Sequence, residues 1–156
     1  MKDAFRMTAP HILAYVISKD SAGSVNAMGL SWWTFVSNRP PALLICLSRS
    51  KHTIRNIEQT RQFSLCIPDE SLRGQAKKIC SSSGAEVDKI AQFGLELAPA
   101  RKISVPVLKK SCACFECSVQ NIVDAGDHAI CIAESQDSAV NDHSHPLSTL
   151  ESGYVL

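Results

Sequence analysis

Short apolar runs broken by turn signals, rather than long amphipathic stretches, constrain this chain most. "HILAYVIS" (residues 11–18) mixes β-branched and aromatic residues and leads into "KDSAGSVN", a turn centred on Gly23. Such a run reads as a strand, and a second strand beginning at Val25 makes the pair a hairpin. "PPALLICLS" (residues 40–48) is apolar at both alternating positions, the pattern of a strand buried on two sides. Its prolines belong at the start, because proline cannot donate to a ladder. "QFSLCIP" (62–68) alternates Phe63, Leu65 and Ile67 and ends at Pro68. "CACFECSVQNIV" (112–123) alternates Ala113, Phe115, Cys117 and Val119, and "HAICIAESQ" (128–136) alternates Ile130 and Ile132 after the turn "DAGD".

Helical spacing is scarcer. In "HTIRNIEQTRQ" (52–62), Ile54 and Ile57 fall three apart, with Thr53 the candidate N-cap and Asn56 supporting the helix start. Residues 70–95 read as two helical pieces around a Ser/Gly break. Strands outnumber helices, their spacing is irregular, and parallel crossovers are few. The expected fold is therefore mostly β, an antiparallel barrel with α-helices packed outside it. With no repeat, low-complexity tail or linker, residues 1–156 read as a single domain.

Charge narrows the function classes. The net charge of +1 gives no reason to expect broad attraction to nucleic acid or membrane, so any anion site must be local. No window approaches the ~18 apolar residues of a membrane span, and "MKDAFRMTAPHILAYV" lacks a secretory pattern. The seven cysteines are odd in number and lie mostly inside apolar runs. That favours reduced, buried thiols and a cytoplasmic protein over a disulfide framework.

One local anion site stands out. Between an apolar strand and a helix, "LSRSKHTIRN" gathers the hydroxyls of Ser48, Ser50 and Thr53, the cations Arg49 and Lys51, and the imidazole of His52. A helix start carries unpaired N–H groups and partial positive charge, which suit a phosphate. A solvated, well-capped helix start is the plainer reading of the same residues. Upstream, "NAMGLSWWTFVSNRPP" (26–41) allows a planar ligand close approach at Ala27 and Gly29, offers donors at Ser31 and Thr34, and has Trp32 and Trp33 to flank a ring. Either indole can instead fill the core or a subunit contact.

The ordered set "N-A-M … S-W-W-T … P-P-A-L-L-I-C-L … R-S-K-H-T … T-R-Q-F", continued by residues 81–95, "CFECSV", "AGDHAICIAE" and "HPLSTLESGYVL", resembles the flavin reductase-like family, whose fold is the FMN-binding split barrel and which includes flavoredoxin. The resemblance covers nearly the whole chain. It implies FMN at or near the interface of a homodimer. By the same resemblance, Ala27, Met28, Ser31, Trp32, Trp33 and Thr34 line the isoalloxazine ring, and Ser48, Arg49, Ser50, Lys51, His52 and Thr53 hold the phosphate. Ser82, Ser83 and Lys89 match a stretch that approaches the flavin or second substrate, and His128 in "GDH" matches a position near the flavin. A histidine there can exchange a proton near neutral pH, or simply finish the strand. On this reading Arg49→Ala weakens FMN binding by about 1.5–3 kcal/mol.

The implied activity is NAD(P)H-dependent flavin reduction, NADH or NADPH giving hydride to flavin N5. The alternative is an electron carrier with tightly held FMN, reduced by a redox protein partner. Bulky Trp32 and Trp33, where many flavin-releasing relatives have a smaller residue and Phe, imply either a retained flavin or narrowed access to it, against free-flavin reduction. No G-x-G-x-x-G follows a strand, so a Rossmann site is not indicated. Two further clusters attract a metal reading. In "CACFEC", Cys112 and Cys114 would share one strand face and Cys117 the other, which favours separate buried thiols. "DHSHP" offers His143 and His145 without a third ligand nearby, so no metal is expected. Asp88 and Lys89 read as a helix-surface charge pair.

Overall fold

The structure, a computed structural model, describes Thr8 and residues 10–149. Half of the segment in which a leader was sought therefore lies outside the described residues, and the resemblance at residues 145–156 can be followed only to Thr149. In chain order the elements are β1 (His11–Ile12), β2 (Ala14–Lys19), β3 (Val25–Leu30), β4 (Trp33–Asn38), β5 (Pro41–Ser48), α1 (His52–Thr60) and β6 (Gln62–Pro68). After a 3-10 turn (Glu70–Leu72) come α2 (Arg73–Ser81), α3 (Lys89–Gln92), β7 (Leu97–Ala98), β8 (Val107–Leu108), β9 (Ser111–Ala125), β10 (His128–Val140) and β11 (Ser148–Thr149).

Seven strands form one antiparallel sheet in the order β3-β2-β6-β9-β10-β5-β4. Three hairpins, β2–β3, β4–β5 and β9–β10, follow from the short turns, while α1 carries the chain from β5 to β6 across the sheet. Met28 and Leu30 of β3 share one core with Leu43, Ile45 and Leu47 of β5. In a flat sheet those strands would stand about 24 Å apart at the usual interstrand spacing. Shared packing requires the sheet to curl into a barrel, left split between its edge strands β3 and β4.

Ile54 and Ile57 of α1 enter the same interior beside Phe63 and Leu65. That accounts for their spacing of three, which places both on one helix face. The outer face of β2, β6 and β9 carries Tyr15, Ile17, Cys66 and Cys114, covered by Ala76 and Ile79 of α2 and by Leu95, Val105 and Leu108. Among the described residues no helix is long and apolar enough to cross a membrane.

Four local expectations change. β5 is buried on one face only: Leu43, Ile45 and Leu47 point inward, whereas Leu44, Cys46 and Ser48 are half-buried. Thr53 is not the N-cap. Lys51 holds that position, with extended backbone and no side-chain capping bond, and Thr53 is buried inside the first turn. Cys112 and Cys114 do not share a face, because the β6–β9 register shifts between Ala113 and Ser111. Cys112 packs against the inner core and Cys114 joins the outer one. Asp88 and Lys89 do not pair: Asp88 caps α3 by accepting from the Ile90 and Ala91 amides, and Lys89 is buried.

Candidate functional site

A cavity of about 370 Å³ lies where β3, the start of α1 and the α2–α3 segment meet. Sequence dictates its charge. Lys51, His52, Lys89 and His128 line it, and among the described residues no carboxylate does. At its base, α1 starts with no acidic residue in the first turn and no side-chain cap, so its leading amides keep their donor capacity and positive end. Ser48 and Ser50 stand beside this start with their hydroxyls 2.9 Å apart.

Lys89 is 3% exposed. Its Nζ donates to the Ile79 carbonyl at 2.9 Å, near the end of α2. Loss of water holds its ammonium below the usual lysine range; Cys80 pulls it back up and Lys51 pushes it further down. A buried cation held by one neutral carbonyl is a charge waiting for an anion.

Asn26 belongs to the same wall. It is buried, its Nδ2 donates to Thr53 Oγ1 at 2.9 Å, and its Oδ1 has no partner. Gly84 presses against that oxygen: a Cβ there would lie 2.0 Å from Oδ1. Gly29 is needed for a similar reason, since a Cβ would lie 2.3 Å from Cys80 Sγ where α2 crosses β3.

At the rim, the Trp32 ring lies 5.1 Å from the His128 ring, tilted by 33°. His128 follows the β9–β10 turn and pairs with Ser48 of β5, which fixes it at the cavity mouth. Its Nδ1 lies 2.7 Å from Asp127 Oδ1, and that carboxyl is held below the ordinary carboxylate range by the imidazole. With Nδ1 engaged, Nε2 is the nitrogen left for a ligand.

The cavity brings together Met28, Ser31, Trp32, Ser48, Ser50, Lys51, His52, Thr53, Ser82, Ser83, Lys89 and His128. Four of the expected residues do not line it. Ala27 alternates to the opposite face of β3 and is fully buried in the outer core. The Trp33 indole donates to the Ile12 carbonyl at 3.1 Å and meets Phe35 edge-on. Thr34 is exposed further along the edge strand β4. The Arg49 guanidinium is held by Glu58 and Asp124, two carboxylates that do not line the cavity. Asn26, Cys46, Cys80 and Gly84 line it without having been singled out. A lone Asn inside the strand "VNAMGL" was the available signal for Asn26, since a buried amide needs partners.

Comparison with known proteins agrees with this geometry. A probable flavin reductase of Rhizobium meliloti is 29% identical over 133 residues, 85% of this chain and 40% of the relative. The FMN reductase (NADH) RutF of Serratia proteamaculans is 25% identical over 119 residues, 76% of this chain and 66% of the relative. The chain thus spans less than half of the first relative's length and about two thirds of the second's. Flavoredoxin of Desulfovibrio vulgaris superposes with a TM-score of 0.85 at 22% identity, covering 96% of this chain and 87% of that one. An FMN-binding protein of Thermus thermophilus superposes with a TM-score of 0.84 at 21% identity, covering 95% and 86%. The profile of the flavin reductase like domain matches residues 7–155, and this chain belongs to that family.

Proposed function

We propose that this chain is an FMN-binding flavoprotein oxidoreductase that takes hydride from NADH or NADPH. The observation that carries the reading is the charge of the cavity: among the described residues Lys89 is buried without a counter-ion, and Lys51, His52 and the uncapped start of α1 line the same space with no carboxylate. Such a donor set fits the dianionic phosphate and electron-rich ring edge of FMN. The unpaired Asn26 oxygen supplies an acceptor for a ligand hydroxyl or N–H. Family membership and the names of the relatives support the same cofactor.

Bound FMN would supply the hydride acceptor, its N5. The protein's part is to hold, orient and neutralise. Ser48, Ser50, Lys51 and the first amides of α1 would hold the phosphate, and Thr53, fixed by Asn26, adds a hydroxyl to that wall. Lys89 would offset negative charge on the bound cofactor, in surroundings poor in water. Trp32 and His128 cover one side of the mouth and restrict ring orientation, and His128 Nε2 holds or accepts a proton at the rim. A nicotinamide co-substrate would have to reach the bound cofactor through the side of the mouth that Trp32 and His128 leave open.

The exposed apolar side chains of Phe35 and Val36 on β4 support a homodimer, and the buried, unbridged thiols support a cytoplasmic setting. A second reading, a flavoredoxin-like electron carrier served by a redox protein partner, is favoured by the Trp32 indole over the mouth, which would retard flavin release. Anaerobic mixing of the FMN-loaded protein with NADH and then NADPH separates the two. Bleaching faster than that of free FMN by the same nucleotide supports the reductase. Bleaching no faster than free FMN excludes it, and FMN then retained through dialysis supports the carrier.

A further inference from the structure

We propose that Cys66 and Cys114 form a peroxide-oxidisable dithiol that closes to an intramolecular disulfide, a modification site distinct from the cofactor cavity. The two residues face each other across β6 and β9 as direct register partners. Partners in an antiparallel pair have Cα atoms roughly 4.5–5.5 Å apart, inside the range a disulfide spans. Their sulfurs are 2.8 Å apart, so bond formation, at about 2.05 Å, requires only a small side-chain adjustment. No other residue separates them, and neither lines the cavity.

The surroundings differentiate the two thiols. Cys114 Sγ lies 3.0 Å from Ser111 Oγ, while Cys66 Sγ accepts the Leu108 amide at 3.4 Å. Hydrogen bonding with Cys66 holds the Cys114 thiol below its ordinary value, and burial pushes Cys66 up. Cys114, the one of the two that keeps exposed surface, meets the oxidant first, and Cys66, fully buried behind it, is the resolving thiol. Cys66 is fully buried and Cys114 is 5% exposed. The sliver of exposed surface at Cys114 suits an oxidant of peroxide size and excludes a protein-sized one.

The oxidant is a hydroperoxide, ROOH. The Cys114 thiolate attacks the terminal peroxide oxygen; an S–O bond forms, the O–O bond breaks, and RO⁻ takes a proton to leave as alcohol. Cys66 sulfur then attacks the Cys114 sulfenic acid; the S–S bond forms, the S–O bond breaks, and hydroxide leaves with the Cys66 proton as water. Two thiols give up two electrons and one peroxide accepts them. Closure links two neighbouring strands already in register, so the fold is retained.

The test does not involve the flavin and so stands or falls separately from the proposed cofactor. Flavin-free, full-length protein is treated with excess hydrogen peroxide, quenched in acid, alkylated in denaturant and mapped by mass spectrometry without reduction. The expected result is a peptide pair joined through Cys66 and Cys114, about 2 Da lighter than the two thiol peptides together, with far-UV circular dichroism unchanged. Cys66→Ala should leave Cys114 as a sulfenic acid trapped by dimedone, whereas Cys114→Ala should leave Cys66 a free thiol. Full alkylation of both cysteines after treatment, linkage of either to a different cysteine, or a 66–114 link that forms only in denaturant would overturn the proposal. The wild-type map decides the matter even where a variant fails to fold.

Discussion

Asn26 Nδ2 donates to Thr53 Oγ1 at 2.9 Å, tying strand β3 to the first turn of α1 across the rim of the cationic cavity. The contact joins two segments, one expected to meet the ring and the other the phosphate, into a single wall. It also leaves Asn26 Oδ1 buried and unpartnered against Gly84. Asn26→Ala removes both roles and should weaken FMN binding by about 0.5–1.5 kcal/mol. Gly84→Ala, whose Cβ would fall 2.0 Å from that oxygen, should displace Asn26 and weaken binding as well. Fluorescence titration of FMN against each variant checks both.

Lys89→Met should separate binding from stability. The ammonium is buried with a single carbonyl partner, so its removal relieves an unfavourable desolvation in the free protein. The expected outcome is FMN affinity lower by about 1.5–3 kcal/mol, roughly 10- to 150-fold in Kd, with urea stability unchanged or raised. Chemical unfolding and a flavin titration on the same preparation measure the two halves.

Arg49→Ala should affect FMN binding little, in contrast to the loss expected from sequence. Its guanidinium is held by Glu58 and Asp124, and it does not line the cavity. With both carboxylates half to mostly exposed, the pair is screened by water and its loss should change stability little. A Kd within about twofold of wild type is the predicted titration result.

Buried thiols set the alkaline limit of stability. Burial pushes Cys131 up to about 11, and Cys117 is raised further. A folded-state value above the unfolded one contributes stability that is fully present below the ordinary thiol value, about 8.5, and lost as pH rises through the folded value. Lys89 acts in the opposite sense, since its lowered value makes the unfolded chain bind more protons above neutrality. The thiols outnumber it, so urea midpoints should fall as pH rises from about 8.5 toward 11. Cys131→Ala should shallow that slope.

Period-two alternation marked the strands at residues 62–68 and 112–123, where Phe63, Leu65, Cys117 and Val119 enter the inner core. In residues 128–136 it marked the strand but the wrong face, since Ala129, Cys131 and Ala133 point inward and Ile130 and Ile132 are half-buried. Residues 40–48 misled, since Leu44 and Cys46 are apolar yet only half-buried. That Ser48, Ser50, Lys51, His52 and Thr53 gather at one cavity was legible because helix starts are local features. What sequence could not settle was the direction of each side chain. Arg49 and Lys51 sit two apart in one cationic turn, but only Lys51 faces the cavity, because Glu58 on α1 and Asp124 at the end of β9 claim the guanidinium. Lys89 looked like half of a surface pair until packing of α2 and α3 against β3 buried it.

Calorimetric titration of FMN into the flavin-free protein, with wild type and Lys89→Met side by side, tests the central claim most directly. The account predicts saturable binding of FMN to wild type, competed by inorganic phosphate, and a Kd at least about tenfold weaker in the variant. Absence of heat and of flavin quenching with wild type, or equal affinity in both proteins, would contradict it.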